Sequence, residues 1–93
     1  MRTALYSPLN ARLSEIMKSA RLDAGITQVE LARATGRTQA YISKFERGQL
    51  RLDVGDFLLF AKHLKLDPAR LLIELDTEAP PRRGGGRAGN RPN

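Results

Sequence analysis

The sequence predicts an all-α fold of five helices, and three observations carry the prediction. Apolar residues recur at three- and four-residue spacing along most of the chain. Capping residues stand just before these periodic segments, and glycines close three of them. Nowhere do apolar and polar residues alternate strictly, as a half-buried strand requires.

The first helix opens at Ser7-Pro8, an N-cap followed by proline at the first helical position, where its missing N–H costs nothing. Leu9, Leu13, Ile16, Met17 and Ala20 follow as its stripe, and Gly25 stops it. Thr27-x-x-Glu30 is a capping box, with Ile26 and Leu31 as the hydrophobic staple around it. The second helix therefore runs from about Gln28 to Ala34 and stops at Gly36. Thr38 caps the third, which ends at Gly48. Asp53 caps the fourth, which is expected to bury Val54, Phe57, Leu58, Phe60 and Ala61, with Leu64 on the same stripe and Leu52 as staple to Phe57. Asp67-Pro68 opens the fifth, bearing Leu71, Leu72 and Leu75. Residues 1–75 thus form one small domain. From Asp76 on, "DTEAPPRRGGGRAGNRPN" holds prolines, glycines and arginines but almost nothing apolar, so residues 76–93 are expected to be a disordered Arg/Gly/Pro tail.

Composition narrows the function classes. The chain has 93 residues, no cysteine and a net charge of +6. Disulfides and thiolate metal sites are excluded, and the lone histidine, His63, has no second metal ligand near it in sequence. The longest apolar run, "FLLFA" from Phe57, is far too short to cross a bilayer, and the N-terminus lacks the apolar stretch of a secretory signal. A soluble cytoplasmic protein without cofactor is expected. Its basic excess suits a polyanionic partner. No serine, acid or histidine shows nucleophile–base spacing, so no enzyme activity is expected.

Gln28 to Arg47 reads as a twenty-residue unit. Leu31 and Ala32 fall on the inner side of the second helix, Ile42 and Phe45 on that of the third. Ala32 is small where two helices cross steeply, and Gly36 suits the left-handed turn between them. A helix pair joined by a short glycine-containing turn is the helix-turn-helix geometry. On the opposite face of the third helix lie Ala40, Ser43, Lys44 and Arg47, with Gln39 at the edge. Such a helix fits the DNA major groove, where Gln bonds adenine, Lys reaches guanine and Ala meets a thymine methyl.

From Arg21 to Leu72 the chain reads "RLDAGITQVELARATGRTQAYISKFERGQLRLDVGDFLLFAKHLKLDPARLL". With its "TQ-x-ELA", turn glycine and "IS-x-F-E-x-G", it resembles the five-helix phage-repressor class, the Xre-like, lambda-repressor-like helix-turn-helix family. The resemblance implies that Thr38, Gln39, Ala40, Ser43 and Lys44 face bases. It implies that Gln28 docks on phosphate while bracing Gln39, and that Arg47, Gln49 and Arg51 contact phosphates. It also implies an ion pair between Arg21 and Glu46 that orients the third helix. Arg37 departs from the family, where an apolar residue usually follows the turn glycine; a role toward phosphate is assigned to it here.

The resemblance implies a small bacterial or phage-type transcriptional regulator, a repressor acting on the nucleoid. One recognition helix reads too few base pairs to single out a site, so a homodimer on an inverted-repeat operator is expected, completed on DNA if its patch is small. Leu59, Leu72, Ile73 and Leu75 are the candidate patch. The competing reading is an antitoxin-like protein that binds a toxin partner and autoregulates its promoter.

Overall fold

The computed structural model describes residues 7–78. Five helices follow one another: α1 Pro8–Asp23, α2 Gln28–Thr35, α3 Gln39–Glu46, α4 Val54–His63 and α5 Pro68–Glu78. Among the described residues there is no strand, and no helix is long and apolar enough to cross a membrane. The domain extends three residues beyond the expected boundary, because α5 continues through Asp76 and Thr77 to Glu78. The remainder of the expected tail lies outside the described residues.

Side-chain caps begin all five helices, Asp67 Oδ1 taking the Ala69 amide at 3.0 Å ahead of α5. Ser7 Oγ accepts from the Asn10 amide at 2.9 Å, and Thr38 Oγ1 from the Tyr41 amide at 3.1 Å. Asp53 Oδ1 accepts from the Asp56 amide at 2.8 Å. Around α2 the box is reciprocal, with Thr27 Oγ1 taking the Glu30 amide and Glu30 Oε1 taking the Thr27 amide. Gly36 ends α2 in the left-handed region at φ 72°. The turn after α4 has the same handedness without glycine: Lys65 sits at φ 60°.

The core gathers where α3 meets α1, α2 and α4. Met17, Ile42, Phe45, Phe60 and Ala61 are all but sealed from solvent. Phe45 and Phe60 meet edge to face, centroids 5.8 Å apart at 90°, a favoured aromatic geometry. Leu31, Ala32, Phe57, Leu64, Leu71 and Leu75 complete it. α3 is therefore held from behind, which fixes its outer face in space.

Four expectations for the apolar surface are corrected. Leu75 is only 5 % exposed and belongs to the core, since α5 turns it inward beside Leu71. Leu59 is half-buried, whereas Leu58, expected inside, is 47 % exposed and Val54 is 73 % exposed. Leu72 and Ile73 stand out at 55 % and 66 %. Leu9, at the start of α1, is also exposed. Between α1, α4 and α5 lies an open groove of about 290 Å³, lined by Leu9, Leu13, Leu52, Phe57, Leu58 and Leu72.

Candidate nucleic-acid interface

The candidate surface is built outward from a buried ion pair. Arg21 Nε donates to Glu46 Oε2 at 2.6 Å and Arg21 Nη2 to Glu46 Oε1 at 3.0 Å. Their side chains are 8 % and 4 % exposed. Arg21 Nη1 also reaches the Ile26 carbonyl at 2.8 Å, tying the end of α1 to the loop before α2. Glu46, ionised, can only accept. Gln28 must therefore offer it Nε2, at 2.9 Å. Its Oε1 is left to accept from Gln39 Nε2, at 3.3 Å. A relay thus runs from α1 through the last turn of α3 and the first turn of α2 back to the first turn of α3. At its outer end Gln39 keeps one N–H and its Oε1 unengaged within the relay. Those are the donor and acceptor that bidentate contact with adenine uses.

Around Gln39 the face is open. Thr38, Ala40 and Lys44 are exposed, and Ser43 is half-buried. Arg47 is exposed and folds along the helix, donating from Nη1 to Ser43 Oγ at 2.7 Å and from Nη2 to Gln49 Oε1 at 3.4 Å. Arg51 is exposed in the loop before α4 and rims the apolar groove. The sequence-derived base-facing set therefore shares the amino-terminal and outer side of α3. Arg47 and Gln49 gather at its carboxyl end.

Arg37 does not hang free. Its Nη2 donates to both Asp56 carboxylate oxygens, at 2.8 and 2.7 Å, and its Nε to Oδ1 at 3.3 Å. The guanidinium lies over the Tyr41 ring, 4.7 Å from its centroid. Tyr41 Oη in turn donates to Asp56 Oδ2 at 2.7 Å. The Arg37 guanidinium, with help from the Tyr41 hydroxyl, holds the Asp56 carboxyl below its ordinary value of 3.8, although burial works the other way. Burial and then the bond to Asp56 push the Tyr41 hydroxyl up to about 12. The expected reach of Arg37 to phosphate is thus replaced by an internal partner. Reading the sequence missed Asp56 because its side chain meets α3 only through tertiary contact. The available signal was a cation at a turn position that is usually apolar.

Residues 12–72 match the model of a family described as a helix-turn-helix domain. No match is found among curated proteins. Among solved structures, an XRE-family like protein from Pseudomonas syringae pv. tomato is 40 % identical. The match covers 77 % of this chain and 88 % of that one, with a TM-score of 0.70. The clp gene regulator ClgR from Corynebacterium glutamicum is 30 % identical over 74 % of this chain and 73 % of its own, at 0.67. The restriction-modification controller protein C.Esp1396I is 30 % identical over 77 % and 94 % respectively, at 0.68.

Proposed function

Because the chain belongs to the XRE-like helix-turn-helix family, we propose that it regulates transcription by reading a specific double-stranded DNA site with α3 in the major groove. The observation that carries this reading is the relay that ends in Gln39. A side chain braced by three helices at the exposed start of α3 is suited to contacting bases. Thr38, Gln39, Ala40, Ser43 and Lys44 face bases, while Gln28, Arg47, Gln49 and Arg51 take phosphates. The regulator acts as a repressor, by occupying its operator. It binds as a two-fold dimer through Leu58, Leu72 and Ile73, placing two α3 helices on successive turns of one DNA face, about 34 Å apart. Selection of bound sequences from random duplexes at stated salt tests the reading. An enriched inverted repeat is the expected result; recovery of no preferred sequence would refute it.

A further inference from the structure

Arg37 and Tyr41 bracket the three residues that open the recognition surface: Arg37 precedes Thr38, and Tyr41 follows Ala40. Both are held by one carboxylate on a different helix. Asp56 stands in the first turn of α4, its own amide capped by Asp53. Its two oxygens receive three bonds from Arg37 and one from Tyr41, and its side chain is 9 % exposed. A planar guanidinium gripped at both carboxylate oxygens and stacked on a ring has little rotational freedom. The backbone on each side of Gln39 is thereby tied to α4, while the Gln39 side chain is tied to Gln28.

From this geometry we infer that Asp56 is a positioning residue for DNA recognition: it aims the amino-terminal turn of α3 by clamping Arg37 and Tyr41, and it withholds the Arg37 charge from the phosphate backbone. The second half follows from the first. A guanidinium already neutralised by a carboxylate displaces no counterion from DNA, so it adds nothing to sequence-independent attraction. Released, it would add that attraction to every sequence alike. Asp56 therefore favours specific over random binding in two ways, by holding base-facing groups in register and by removing one unspecific cation.

The inference rests on the DNA-reading role of α3, and the test separates the two. Affinity for the selected site and for random duplex is measured across a salt series for the wild-type chain and for Asp56→Asn, Tyr41→Phe and Arg37→Gln. Helix content is checked at the assay temperature. Asp56→Asn should lower the site-to-random ratio by roughly tenfold, comparable to losing one good base contact. It should also steepen the salt slope by roughly 0.9 as Arg37 turns to phosphate. Tyr41→Phe, which deletes one hydrogen bond and keeps the ring, should lower the ratio by less and leave the slope alone. Arg37→Gln should lower the ratio with the slope unchanged. A slope shallower by roughly 0.9 in Arg37→Gln would make Arg37 an ordinary phosphate contact and overturn the inference. An unchanged ratio in Tyr41→Phe and in whichever of the other variants keep their helix content would reduce the clamp to a support of the fold and overturn it as well. Absence of any sequence preference in the wild-type chain would instead overturn the DNA-reading role, and this inference with it.

Discussion

Glu46 sits at the buried middle of the hydrogen-bonded relay and Gln39 at its exposed end, and their removal should have opposite signatures. Glu46 accepts two bonds from Arg21 and one from Gln28 in a buried setting. Glu46→Gln would leave the Arg21 guanidinium buried without a counter-charge, which destabilises by about 3–5 kcal/mol. Urea unfolding monitored by circular dichroism measures this, and a loss well below 1 kcal/mol would mean water reaches the pair. Gln39 is exposed and holds nothing in the core. Gln39→Ala should shift stability by no more than about 0.5 kcal/mol yet cost about 1–3 kcal/mol on the preferred site and relax base choice at one position. Equal losses on preferred and random duplexes would make it a residue that positions the protein without reading bases.

Among the helices, the junctions rather than the interiors carry the testable strain and charge. Lys65 takes the left-handed conformation that glycine takes after α1, α2 and α3, with the Leu66 amide returning to the Ala61 carbonyl at 2.8 Å. Lys65→Gly should stabilise by up to about 1 kcal/mol, since a β-carbon is disfavoured there, and a higher thermal midpoint is the measurement. At the α3–α4 junction the effect is one of pH. Asp56 titrates lower when folded than its ordinary 3.8, so the stability it supplies is complete above 3.8 and lost as pH falls through the folded value. Asp56→Asn should flatten that acid limb of the midpoint-against-pH curve. It should also lower the Tyr41 ionisation from about 12 by the share that the bond to Asp56 supplies, leaving the larger share that burial supplies, read by tyrosinate absorbance. Caps and glycine stops were legible in the sequence because each is settled within four residues of backbone. Leu58 and Leu59 were not, because "FLLFA" is apolar all round and supplies no phase to choose the inner side. Nor was Arg37–Asp56, since a pairing across nineteen positions depends on where two helices lie once packed.

As a whole molecule, the domain presents on α3 the groups proposed to face bases, and a separate apolar rim made by Leu58, Leu72 and Ile73. The two surfaces use different helices, so one can meet a second copy while the other meets DNA. Leu72→Glu should leave helix content intact, because Leu72 is 55 % exposed, and should weaken binding to the full inverted repeat far more than to a half-site. Titration at protein concentrations well above the dissociation constant gives the count. Saturation at two chains per inverted repeat is expected, and one chain with a half-site footprint would rule the dimer out. Leu59→Glu is the contrasting substitution: its half-buried side chain should cost stability before it costs association.

The relay that ends in Gln39 also bears on time. Since Glu46 only accepts, the Gln28 amide cannot turn over, and Gln39 is oriented before any duplex arrives. Ordering such side chains costs about 0.5–1.5 kcal/mol each at an interface; here that ordering is completed during folding. Encounter with DNA is driven by charge and proceeds at similar rates on right and wrong sequences. On the proposed base-reading role of Gln39, discrimination then appears in residence: a stiff amide that finds adenine stays, and one that finds another base cannot adapt and departs. Gln28→Ala would loosen that stiffness and remove its proposed phosphate contact, so dwell time should shorten on every duplex but more on the preferred site, while the arrival rate stays nearly as it was.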